Sequence, residues 1–191
     1  VNLYENMIRT SVQTRSDMAL EGQIASSMLT LQLELQSAGF GIVKDPAVAH
    51  IAQTADSIYW RYAVDNVAQC RGFRIVNSAD GLRRELQLLK LKIGCNTTAV
   101  LTTFNWSDAG VETTTIAEFH KSITAVAELP AINVAPITPQ SCFPYGMGTK
   151  AVHPMVTITA DNVAITDAKR LDATAAGPTA PYRYDICLPN L

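Results

Sequence analysis

The stretch LEGQIASSMLTLQLELQSAGF, residues 20–40, decides the architecture. Within it Leu20, Ile24, Met28, Leu31, Leu35 and Ala38 follow one another at steps of 4, 4, 3, 4 and 3 residues. At about 100° per residue those steps bring the series back to its starting direction, a straight apolar stripe along one side of an α-helix. Such a stripe is the core-facing side of an element that has something to cover. Gly39 stands where a left-handed residue ends a helix, and Phe40 behind it is placed to fold back on Leu35 in a Schellman ending.

Working back from the stripe, there is no proline from Leu3 to Ala38, and the single glycine is Gly22. The helix is therefore expected to be continuous over residues 1–38, and the stretch from Leu3 to Ala38 alone is about 54 Å at 1.5 Å per residue. A body of roughly 150 residues is only about 38 Å across, so the helix overhangs it. Val1, Tyr4, Ile8 and Val12 form a second stripe, rotated away from the first. Residues 10–17 (TSVQTRSD) between the two hold one large apolar residue, Val12. Leu3, Tyr4, Met7, Ile8 and Val12 are the candidate contacts for another protein, because the chain's own body does not reach them. A frayed chain end is a competing reading. A coiled-coil dimer is opposed by the lack of a heptad through residues 10–17.

Working forward, the pattern turns to period two. In SIYWRYAV (57–64), Ile58, Trp60, Tyr62 and Val64 alternate with Tyr59, Arg61 and Ala63, a half-buried strand. CRGFRIV (70–76) reads as another. LRRELQLLKLKIG (82–94) is ambiguous: Leu82, Leu86 and Leu89 suit a helix, whereas Leu89, Leu91 and Ile93 alternate with Lys90 and Lys92. A strand is expected in its second half, with the lysines blunting an exposed edge. AVLTTFNW (99–106) is strand-like. Residues 129–148 carry Pro130, Pro136, Pro139 and Pro144 and read as an irregular loop. MVTITADNVAIT (155–166) suggests a hairpin turning at Asp161-Asn162, and YRYDICL (182–188) alternates again. One helix followed by antiparallel strands is an α+β fold, with helix 1–38 and β-rich head 39–191 forming a single domain.

Composition narrows the function. Of 191 residues, 48% are hydrophobic, enough for a core and too many for a disordered chain. Fifteen Lys and Arg against 17 Asp and Glu leave a net charge of −2, which supplies no basic footprint for nucleic acid or anionic lipid. Charged residues are only 17%, below the roughly 25% of average domains, which suits a packed or exported surface. Four cysteines (Cys70, Cys95, Cys142, Cys187) without a CxxC pair, and histidines scattered at 50, 120 and 153, argue against a metal site. Two disulfides and an oxidising compartment are the better reading, and three pairings are open. Every apolar run is broken well before the roughly 18 residues of a membrane span. The chain starts at Val1, inside a helix, so an upstream segment is expected to have been removed.

No GxSxG, P-loop, GxGxxG, HExxH or EF-hand pattern occurs. Asp65-Asn66 and Asp161-Asn162 mark turns more readily than calcium sites, and His120 and His153 read as surface or hydrogen-bonded residues. Trp60 and Trp106 could stack on a ligand, though a strand tryptophan is usually core. The sequons at Asn96 and Asn105 are discounted as chance matches. Nothing assembles a nucleophile, base and oxyanion donor, so no catalysis, cofactor or metal is expected.

Three blocks then carry a resemblance. LQLELQSAGFGI (31–42) resembles the end of the first helix of PilW-type minor pilins of bacterial type IV pili, of the form LQxDLxxAGF, with Glu34 where that family commonly has Asp. ADSIYWRYAVDNVAQCRG (55–72) is similar to the family's next block, an aromatic strand followed by a cysteine. KIGC, ending at Cys95, sits where the partner cysteine follows a short hairpin. These blocks lie in family order over the first half; from Asn96 onward no pattern matches. The resemblance implies a pilin-like fold and the pairing Cys70–Cys95, which leaves Cys142–Cys187 to tie the proline-rich loop to the last strand. It also implies a non-enzymatic structural subunit of a pilus tip or priming complex that helps initiate assembly, with the related minor pseudopilin J of type II secretion as the alternative. Its partners would be other minor pilins, the major pilin and a tip adhesin, met through the N-terminal helix. Anchorage in the inner membrane would come through a segment preceding this chain, with the extracellular pilus as destination. From a different class, a secreted adhesin or binding module would use loop 129–148 and Trp106; an exported enzyme with an unrecognised site is a third reading.

Overall fold

The computed structural model describes residues 2–107, 109–121, 129–143, 150–161 and 181–191, with side chains for Met7 and from Met18 onward. Helix α1 runs Asn2–Leu35. Strands β1 (Ile51–Gln53), β2 (Ser57–Val64), β3 (Val67–Asn77), β4 (Arg83–Leu91) and β5 (Val111–His120) form an antiparallel meander in that order. A second sheet is centred on β8 (Ala151–Ala160). The strands β6 (Ile132–Val134) and β7 (Thr138–Cys142) pair with successive stretches of β8, and β9 (Tyr182–Cys187) also pairs with it. The fold is α+β, as the alternation and the helical stripe require.

The stripe is the centre of the main core. Ile24, Met28, Leu31, Leu35 and Ala38 are buried, with Leu20 half-buried at the margin. They pack with Ile58, Trp60, Phe73, Leu86 and Phe119 of the meander and Val156, Ile158 and Ile186 of the second sheet. One face of each sheet is thus closed by the same helix. The side chain of Gln53 stitches the sheets together, donating to Val134 O at 3.4 Å and accepting from Ile137 N at 2.8 Å.

The helix does not end in a Schellman motif. Its last turn tightens, with Ser37 N donating to Glu34 O and Ala38 N to Leu35 O. Gly39 is left-handed at φ +80°, but its N–H goes to Arg61 O on β2, and Ala63 N returns a bond to Phe40 O. The exit turn therefore serves as a short edge partner for β2, and Phe40 is exposed at 56% instead of packing on Leu35. The fit is tight: at Gly41, left-handed at φ +69°, a Cβ would lie 2.2 Å from Ala63 O.

Several sequence expectations change on folding. Residues 83–91 are strand throughout, with no helical first half. β4 lies between β3 and β5, so Lys90 guards no edge; the edges of the meander are β1 and β5. Residues 99–106 are not a strand: Leu101–Thr103 form a 3₁₀ turn, and the chain folds so that Trp106 Nε1 donates to Leu101 O at 2.8 Å. Residues 129–143 are not structureless, since they contain β6 and β7. In the proposed hairpin Asp161 is tied to Ala131 by both its backbone N–H and its carboxylate; the partner strand, from Asn162 on, lies outside the described residues. β5 was not anticipated, because its first half is Glu and Thr and only Ala117 and Phe119 are buried.

The same refolding of residues 99–106 builds a second, smaller core. Cys70, Leu89, Leu101 and Trp106 are buried on the back of the meander, with Tyr59 and Phe104 beside them. Tyr59 stacks on Trp106 with ring centroids 4.6 Å apart, and Gly72 leaves room for the Tyr59 ring. β2 is consequently covered on both faces rather than half-buried.

Candidate functional site

The disulfides are Cys70–Cys95 and Cys142–Cys187, the pairing that the family resemblance implied. The second joins the last residues of β7 and β9, fixing the proline-rich segment to the terminal strand. Two structural disulfides place the folded chain in an oxidising compartment. Among the described residues no helix is long and apolar enough to cross a membrane. None of their His, Cys, Asp or Glu side chains gather in groups able to hold a metal ion.

Of the residues expected to meet another protein, Met7 is 67% exposed. Leu3, Tyr4, Ile8 and Val12 lie within α1, and their side chains fall outside the described residues. The described part of the helix adds three that sequence reasoning missed: Met18 at 67%, Leu29 at 59% and Leu33 at 64% exposure. Met7, Met18 and Leu29 recur every eleven residues, which is three helical turns with a drift of only about 20°. Leu33 follows Leu29 one turn later. This apolar line runs about 140° round the helix from the centre of the buried stripe. Single exposed hydrophobics are ordinary, but four aligned along one face of one helix are not. The eleven-residue spacing was the signal; it was masked by the stronger 4-4-3-4 pattern of the core.

Arg61, assigned by alternation to the outer face of a half-buried strand, is wholly buried. Its guanidinium donates to Asn96 O at 2.7 Å, Ala49 O at 3.0 Å and Ala99 O, so three carbonyls of two loops converge on one cation. The loop bearing Asn96 and Ala99 is the one held by Cys95. His50 is also buried, and neither ring nitrogen has a hydrogen-bond partner among the described residues. Burial, followed by the charge of Arg61, pushes the His50 pKa below its ordinary value, and Val43 and Asp45 only partly offset this. The carbonyls take up the two terminal nitrogens of Arg61, while its Nε has no acceptor among the described residues.

A pH dependence follows. Unfolded His50 takes up a proton near its usual pKa of about 6.5, while the folded residue resists it. The unfolded state then binds more protons, so stability is full above that pKa and falls as pH drops below it. Thermal melts are expected to show a declining Tm from neutral pH toward the folded-state pKa, and His50→Gln should flatten that decline. An unchanged slope in the variant would remove His50 as its cause.

Both tryptophans are core residues, which removes Trp106 as a stacking platform for ligand. Asp65 and Asn66, at φ +50° and +62°, form the two-residue turn closing the β2–β3 hairpin. His120 Nε2 lies 2.8 Å from Glu118 Oε1 on the surface. Comparison of the chain with family models, with curated proteins and with solved structures finds no match.

Proposed function

We propose that this chain is a non-enzymatic minor pilin of the PilW type, a structural subunit of a type IV pilus tip or priming complex. The observation that carries the reading is the apolar line Met7, Met18, Leu29 and Leu33 along α1, turned away from the protein's own core. A helix apolar on two sides fits a fibre in which one side holds the head and the other meets neighbouring helices. The two disulfides agree with export. The chain's pilin-like fold and its contacts with other pilins belong to this proposal.

The test separates folding from assembly. Leu29→Asp with Leu33→Asp should leave the melting temperature of the purified chain almost unchanged, since both positions face water. In cells the same pair should sharply reduce surface pili, counted by electron microscopy against total protein. Normal fibre numbers with stable, exported protein would sink the assembly role. The adhesin reading loses the support it drew from Trp106 and rests on the proline-rich segment alone.

A further inference from the structure

On the face of the meander under α1, Trp60, Arg71, Lys90 and Glu112 are consecutive cross-strand partners on β2, β3, β4 and β5. Together with Thr114 and with Glu34 of the helix above, they line a cleft of about 200 Å³. Two features of this row are unusual. Arg71 and Lys90 are directly opposed like charges, an arrangement that destabilises a sheet unless an anion lies between them. Yet no ion pair joins Arg71 or Lys90 to Glu34 or Glu112; Arg71 makes only long bonds of 3.3 Å to the Tyr62 hydroxyl. The second feature is Trp60: its ring N–H is buried and has no acceptor among the described residues. A buried donor normally finds one.

The cleft thus brings an arginine and a lysine together above the wholly buried Trp60, which closes its floor. Arginine and lysine side by side are donors that recognise a carboxylate, which takes a forked pair of bonds from the guanidinium and a further bond from the ammonium. Its volume is below the roughly 300–1,000 Å³ of sites for drug-sized ligands, so it admits a unit of about one amino acid. Glu34 and Glu112 at the margins would accept from an ammonium on the same ligand and discourage a multiply charged anion. We infer that this cleft binds a carboxylate group, from a small amino-acid-like molecule or from the free C-terminus of a peptide. The inference is independent of whether the chain assembles into a fibre.

The indole N–H resonances of the two tryptophans provide the test, because Trp106 Nε1 already has its acceptor and serves as an internal reference. The full chain is titrated with acetate, with glutamate, and with a short peptide bearing either a free carboxylate or an amide at its end. Saturable movement of the Trp60 resonance by carboxylates, with Trp106 still, is the expected result. Arg71→Gln and Lys90→Met should each weaken binding by about tenfold or more, with the Trp106 resonance reporting an intact fold. Saturation by acetate or glutamate points to a small-molecule source, and saturation by the free-ended peptide alone points to a chain end. No saturable movement, equal response to the amidated peptide, or full-strength binding in both variants would overturn the inference.

Discussion

Leu31→Asp is expected to unfold the protein at room temperature. Leu31 is fully buried at the point where α1 meets both sheets. An aspartate there would carry a charge into the apolar surroundings of the main core. The cost should exceed about 4–5 kcal/mol, against a total margin of about 5–15 kcal/mol for a domain. Leu33→Asp, two residues along the same helix, should change stability by no more than about 0.5 kcal/mol. Chemical denaturation followed by far-ultraviolet circular dichroism compares the two directly. Similar losses at both positions would mean that α1 is covered on both sides by this chain, and the apolar line would lose its meaning.

The second large effect concerns Cys70–Cys95. Replacing both cysteines by alanine should cost about 3–4 kcal/mol from chain entropy alone, for residues 25 apart in sequence. There is a further local consequence, since the same loop supplies Asn96 O and Ala99 O to the buried Arg61. Loosening it withdraws two of the three carbonyls that meet this buried cation and leaves Ala49 O. Loss of Cys142–Cys187, whose residues are 45 apart, carries an entropic cost of about 4 kcal/mol. Together the two approach the whole margin of a marginal domain, so full reduction should abolish cooperative melting near body temperature. Differential scanning calorimetry of the oxidised, reduced and double-alanine proteins measures each step. A Tm unmoved by reduction would show that packing alone holds the back layer in place.

Much of the fold was legible because it is local. The α1 stripe, β2 and β9 declare themselves through periodicity, and Gly39 through its place after the last apolar residue. What was illegible depended on neighbours. Leu86 and Leu89 satisfy either a helix or a strand, and β3 on one side with β5 on the other makes that segment a strand. Leu101 and Trp106 looked like strand residues until the meander offered them a back face to cover. Arg61 looked solvent-facing for the same reason: alternation says which residues share a face, not whether a loop will close over it. The charged row of the cleft was invisible too, since Trp60, Arg71, Lys90 and Glu112 come from four strands and only their register aligns them.

By itself, then, the sequence determined a helix with one core-facing side, strands of defined phase, and enough cysteine for two bridges, because each depends on spacing along the chain. The tertiary structure decided which faces are covered twice, which cysteines meet, and where opposite and like charges come to stand side by side. Those outcomes depend on distances between residues remote in sequence, and a linear pattern does not encode them.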